Sequence, residues 1–274
     1  MGDEQILGVT KLVNALLAKP VLALFALLHI VPENPSYPIT NSFSMELLVV
    51  LLSMLFFLWL RPRIRADHPG ATQQVMEMVL TNPMGVGVKD LVDEIVGHGA
   101  QRHIPLLATI GIFILFSNMI SLIPGISSPT ATITVTLGCA TIVFLYYNQV
   151  GFGKFGAGKY LKTLFGPMPK TFPINLIMLI VETVSHFARI LSLSVRLWAN
   201  MMVSELLYVS FLGLTLSLFV FLGRLNAVGY ASGFVPIVVP VALALLHIFV
   251  AVLQAFIFTI LAIVYLGLAT AEEH

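Results

Sequence analysis

Charge is what this sequence has least of. Only 10% of its 274 residues are charged, 14 Lys and Arg against 13 Asp and Glu, where soluble domains carry about 25%. That excludes an ordinary soluble enzyme and a solvated, disordered chain. The signs nearly cancel, leaving +1, so there is no basic footprint for a polyanion and no nucleic-acid partner is expected. Cysteine is almost absent: Cys139 alone excludes an internal disulfide framework and a multi-cysteine metal site. Glycine (20) and proline (15) are near average use, which excludes low complexity. What remains, 58% hydrophobic, is the composition of a polytopic integral membrane protein.

The charge-free stretches locate the spans. Residues 47–60 lie between Glu46 and Arg61, residues 103–153 hold no Asp, Glu, Lys or Arg, and 206–223 and 225–271 are equally bare. A hydrocarbon core about 30 Å thick needs roughly 20 apolar helical residues. Pro124, Gly125, Ser127, Ser128 and Pro129 break the 103–153 run into spans at 103–123 and 131–148, because Pro and Gly end helices and a solvated turn needs no internal partners. Barrel strands alternate apolar and polar over about 10 residues, whereas these runs are continuous, so the expected fold is all-α with about five membrane-crossing helices.

The chain opens Met1-Gly2-Asp3-Glu4 without a basic n-region, which does not read as a signal peptide. With Ile at position 6 the myristoylation pattern fails too. Ile6, Val9, Val13 and Leu16 recur at helical spacing and suggest an amphipathic surface helix over 5–18. Residues 20–31 are apolar but short for a span; the rival reading is a bent spanning hairpin. Residues 1–42 are therefore read as an external N-terminal segment, followed by a first span at 43–60. Arg61, Arg63, Arg65, Lys89 and Arg102 in 61–102, and Lys154, Lys159, Lys162 and Lys170 in 149–172, assign both segments to the cytoplasmic side. The N-terminus is then outside and the C-terminus cytoplasmic. Within 61–102, residues 72–98 are too polar to span and read as a membrane-surface segment broken near Pro83.

The last 100 residues have longer elements. Between Pro173 and the breaker-rich 224–236 segment there is no Pro, and no Gly before Gly213. A helix over 173–223 measures roughly 75 Å, and one over 235–270 roughly 54 Å. Both exceed the hydrocarbon thickness, so a strongly tilted hairpin lying against a partner is expected, far beyond the usual tilt of about 20°.

Four charges fall within the first of these helices: Glu182, Arg189, Arg196 and Glu205. Each costs at least about 2.5 kcal/mol at the bilayer centre, which makes an intramembrane charge a functional candidate; snorkelling near a helix end is the bland alternative for Arg189. Ser192 and Asn200 share the face of Arg196 at i−4 and i+4. Glu205 lies about 180° round from Arg196 at 100° per residue, so the two serve different aqueous paths unless a π-bulge rotates the helix. On the last helix His247, Gln254 and Tyr265 fall on one stripe, joined by Ala251, Phe258 and Leu261. An imidazole accepts a proton on one nitrogen and donates from the other near physiological pH, whereas Arg196 cannot deprotonate. Together these groups suggest a proton path beside a fixed positive charge whose counter-charge lies on another chain.

Ser192-Leu193-Ser194-Val195-Arg196-Leu197-Trp198-Ala199-Asn200 through Ser204-Glu205-Leu206 resembles the signature of subunit a of F-type ATP synthases, bacterial type. So do His247-Ile248, Leu253-Gln254-Ala255-Phe256-Ile257-Phe258 and Tyr265-Leu266, with weaker likeness at Pro38-Ile39-Thr40-Asn41, Asn118 and 129–137. The resemblance implies a tilted hairpin laid against a rotating ring of c subunits, each with a membrane-embedded carboxyl group, and a peripheral stalk of b subunits. It implies a non-catalytic role without cofactor or metal, in a bacterial inner membrane. Arg196 matches the arginine that separates two aqueous half-channels. Glu205, His247, Asn200 and Gln254 match positions of the outer half-channel or its edge, and Glu182 an acidic position near the cytoplasmic one. Thr132 stands where members of the family often have an acid, so no proton role is assigned there, and none is carried onto Arg189 or His186.

Two rival readings fit the residues less well. A stand-alone proton-coupled secondary transporter calls for duplicated halves, which the sequence does not show. An intramembrane enzyme calls for a motif such as H-E-x-x-H, G-x-S-x-G or a P-loop, and none is present; the seven His form no metal-ligand spacing.

Overall fold

The computed structural model describes residues 8–27, 37–64, 70–81, 87–97, 99–123, 126–156, 158, 160, 172–223 and 234–271. Among the described residues the main helices are α1 (Gly8–Leu27), α2 (Asn41–Leu60), α3 (Ala71–Leu80), α4 (Val88–Val96), α5 (Ile104–Met119), α6 (Ile133–Phe155), α7 (Phe172–Gly223) and α8 (Phe234–Thr270). Short 3-10 turns flank α2 and α5 and precede α6, and no strand occurs among the described residues. The chain is all-α. Six helical stretches are long and apolar enough to cross a membrane, against about five expected from sequence. The difference is α1. It is one 20-residue helix that carries Pro20 inside it, where the sequence reading separated a surface helix at 5–18 from an apolar run at 20–31.

Local chemistry explains several boundaries. The Thr40 hydroxyl caps α2 by accepting the Phe43 N–H at 3.3 Å, satisfying one of the orphan donors of a helix start. Pro105 opens α5 in the first turn, where its missing N–H costs nothing. The break inside the charge-free run falls where Pro and Gly put it, with 3-10 turns at Ile120–Leu122 and Pro129–Ala131. The segment 72–98 becomes α3 and α4. On α4, Lys89, Asp93 and Glu94 face outward while Val92 is fully buried, the signature of an amphipathic helix on a bundle.

Helix α7 runs 52 residues, about 78 Å, and α8 runs 37, about 55 Å. They pack against each other, and α8 also packs against α4, α5 and α6. The core is where these five helices meet, around Val92, Ile114, Val143, Leu197, Met201 and Phe258. Helix α7, by contrast, buries only 6% of its most apolar window within the chain. Helix α1 packs on α2. It is pinned by Asn14, whose amide donates to Ile39 O and accepts the Ile39 N–H, both at 3.1 Å.

Close helix approach in a membrane relies on small residues, and two glycines show it. A Cβ on Gly111 of α5 would stand 2.5 Å from Thr259 Oγ1 of α8, and one on Gly267 of α8 would stand 2.6 Å from Ile95 Cγ2 of α4. Gly138 on the outer face of α6 has open space. Gly111→Val should therefore destabilise the α5–α8 contact by about 1–3 kcal/mol, lowering the thermal unfolding midpoint of the purified protein. Gly138→Ala should leave the midpoint unchanged or slightly raised; equal effects of the two would contradict this packing.

Candidate functional site

The polar side chains of the spanning helices sort into an exposed stripe and two buried clusters. The stripe is Ser192, Arg196 and Asn200 on α7, all exposed, as their i, i+4, i+8 spacing requires. Arg196 has no hydrogen bond or ion pair among the described residues. Its neighbours Leu191, Val195 and Val203 are exposed apolar side chains. The inner side of the same helix is closed by Leu193, Leu197 and Met201, all buried, and by Ser194, whose hydroxyl lies 3.1 Å from that of Thr136 on α6.

Glu205 points elsewhere. It is half-buried, and its carboxylate accepts the Ser128 N–H at 3.1 Å, in the turn before α6. Arg196 and Glu205 do not pair, and α7 is α-helical throughout. Two and a half turns separate them with opposite facings, as 100° per residue dictates.

Ser128 begins a chain of buried polar contacts. Its hydroxyl donates to Ser117 O at 2.7 Å and lies 2.6 Å from the Thr130 hydroxyl, which donates to Asn118 Oδ1 at 2.5 Å. Asn118, with no exposed surface, reaches Ala251 O of α8 with its amide at 3.4 Å. Ser121 donates to Asn118 O at 2.9 Å and its oxygen lies 2.9 Å from His247 Nε2. The Tyr208 ring stands 6.4 Å from the imidazole and its hydroxyl donates to Leu122 O at 3.4 Å.

These contacts fix the His247 tautomer. Nε2 also lies 3.2 Å from Asn118 O, and a carbonyl oxygen only accepts. Nε2 therefore carries the proton, and Nδ1 of the neutral ring is the bare acceptor. Nδ1 is buried and has no partner, in a residue only 1% exposed. An unpaired buried acceptor costs on the order of 1–3 kcal/mol.

Gln254 sits two turns further along α8, buried, with Ala251 and Phe258 buried on the same stripe and Tyr265 half-buried at its end. The second cluster surrounds His186, at the opposite end of α7 from Glu205. His186 Nε2 lies 3.1 Å from Asn148 Oδ1 and 3.4 Å from the Tyr147 hydroxyl, and Tyr160 donates to the same Asn148 oxygen at 3.1 Å. Arg189 lies over the Tyr265 ring at 5.6 Å. Glu182, half-buried, is one turn before His186. Among the described residues no group of three His, Cys, Asp or Glu has metal-site geometry.

A family model described as ATP synthase A chain matches residues 43–267. The chain belongs to this family. Members similar to it include ATP synthase subunit a of Koribacter versatilis, 37% identical over 265 residues and 97% of each chain. That of Solibacter usitatus is 38% identical over 252 residues, covering 92% of this chain and 95% of the relative. ATP synthase subunit a 3 of Pelobacter propionicus is 35% identical over 228 residues, 83% of this chain and 86% of the relative. The ATP synthase A chain match takes in every site residue singled out from sequence and leaves α1 outside it.

Sequence reasoning missed Ser121, Ser128, Thr130 and Tyr208. The available signal was position: three hydroxyls bracket a Pro/Gly turn in an otherwise apolar run, and Tyr208 lies one turn beyond Glu205. Because Thr130 joins Ser128 to Asn118, Thr130→Val should leave the Asn118 oxygen unpaired and cost about 1–3 kcal/mol, read as a lowered thermal midpoint. Thr132→Val, in the same turn but outside the chain of contacts that reaches Asn118, should cost less; the reverse order would contradict the network.

Proposed function

We propose that this chain is the stator subunit that carries protons through the membrane sector of an ATP synthase, along two aqueous half-channels that meet at a ring of c subunits. The observation carrying this reading is Arg196: a permanent cation on the open face of a spanning helix, unpaired among the described residues, with one buried polar cluster towards each end of that helix. The proton-transport and ATP-synthesis assignment follows from membership of the family. The half-channels, the ring contact and the stalk of b subunits are the inference.

Glu205, the Ser128–Thr130–Asn118 contacts and His247 line the outer path, with Asn200 and Gln254 at its edge. A proton passing along them neutralises a ring carboxylate, which can then turn into lipid without the cost of a bare charge. On the far side the carboxylate meets Arg196, whose positive charge favours its ionised form, and the proton leaves past Glu182 to the side of the basic segments. Ser192 flanks the arginine. Arg196 cannot relay a proton itself, so it also blocks a direct leak between the paths. Each charge crossing 100 mV releases about 2.3 kcal/mol, and the sum drives rotation. The length of α7 and α8 suits a strongly tilted hairpin against the ring, in a multi-pass inner-membrane protein with its N-terminus outside and C-terminus cytoplasmic. Nothing favours the stand-alone transporter, since relatives spanning nearly the whole chain are named subunits of ATP synthase.

Replacing Arg196 with Ala in the assembled complex should reduce ATP-driven proton pumping, followed with a pH-sensitive dye in inverted vesicles, at least tenfold, as about 1.4 kcal/mol on the coupling step would. Pumping at the unmodified rate would refute the role.

A further inference from the structure

A cavity of about 640 Å³ opens at the end of the bundle that carries the basic segments, away from Arg196 and from the Glu205–His247 cluster. It lies where the start of α5, the end of α6 and the end of α8 converge. Arg102 and Lys154 stand on it, His103 and Tyr146 line it, and no carboxylate is among its described lining residues.

The cations are held in place. Arg102 Nε donates to His103 Nε2 at 3.0 Å. The guanidinium only donates, so the imidazole proton is on Nδ1, which then donates to the Tyr146 oxygen at 2.7 Å. His103 is buried, and this Arg–His–Tyr relay orients all three groups. It leaves the terminal guanidinium nitrogens and the Tyr146 O–H as donors. Across the cavity the Lys154 ammonium is tied to Thr270 O at 2.9 Å, fixing its charge at the rim beside the end of α8. Val96 and Val150 supply apolar wall, and Leu145 and Phe152 on the outer side of α6 are exposed.

We propose that this cavity binds the phosphate headgroup of an anionic phospholipid, with its acyl chains along the exposed face of α6. A guanidinium fork matches phosphate oxygens in charge and shape, and basic pockets between membrane helices at the surface select such headgroups. A free phosphate ion offers the same headgroup chemistry. The exposed Leu145 and Phe152 on the same helix as the lining Val150 favour the lipid. The site is separate from the proton path, and its occupancy ties α5, α6 and α8 together at their common end.

The test uses the whole complex reconstituted in vesicles of equal parts phosphatidylglycerol and phosphatidylcholine, with one or the other carrying a photoactivatable group. Cross-linked peptides are mapped by mass spectrometry. Photoactivatable phosphatidylglycerol should label segments 96–102 and 146–154 roughly tenfold more than the phosphatidylcholine probe. Arg102→Gln with Lys154→Gln should bring labelling down to the phosphatidylcholine level, and Arg102→Lys with Lys154→Arg should restore most of it. Labelling of the exposed face of α2 serves as the control for assembly. Equal labelling by the two lipids in the unmodified protein overturns the proposal whether or not the variants assemble. Undiminished labelling of the double Gln variant overturns it too. Suppression by millimolar inorganic phosphate assigns the cavity to the free ion and overturns the lipid assignment.

Discussion

A charge in hydrocarbon must be paired, hydrated or carried to the surface, and the architecture follows from how this chain meets that demand. Most of its charged residues lie outside the apolar stretches. Of those within, Glu205 takes a backbone N–H from the turn before α6 and Arg189 rests over the Tyr265 ring. Arg196 stands on the open side with no hydrogen bond or ion pair among the described residues. On the proposed reading, a 52-residue helix that buries little of itself, with that cation at its middle, is half of an interface. The proposed ring of carboxylates supplies the other half.

The same demand shapes the interior. Polar side chains in a dry bundle are tolerated when they satisfy one another, and those around Asn118 do so across three helices and a turn. Among the described residues the hydroxyl and amide contacts leave Nδ1 of His247 and the Ser117 hydroxyl beside Asn118 without a partner. Leu197, Met201 and Phe258 are fully enclosed in the core of the same bundle. In the proposed proton path such open groups matter, because a fully paired network would hold its protons still.

Much of this was legible in the sequence, for physical reasons. Charge-free length gave the spans, because the bilayer sets a length and excludes charge. The absence of breakers gave the two long helices within a residue or so of their ends, and 100° per residue gave the opposite facings of Arg196 and Glu205. Other features depended on contacts far apart in the chain. Nothing local to Glu205 announces the Ser128 N–H, and nothing local to His247 announces Ser121 and Asn118, more than 120 positions away. Continuity of α1 through Pro20 was also hidden. Its anchor is Asn14 bonding to Ile39, a tertiary contact that periodicity does not encode. The Arg102–His103–Tyr146 relay escaped notice because its members look like ordinary residues at the ends of spans.

The central claim is that Arg196 faces a carboxylate on another chain. Its most direct test is a disulfide cross-link in the assembled complex, between a cysteine at exposed Val195 and one placed a turn from the membrane-embedded carboxyl of the c subunit. The account predicts rapid oxidative cross-linking to the ring and none from a cysteine at Leu193, on the buried side of the same helix. Cross-linking from Leu193 and not from Val195 would contradict it.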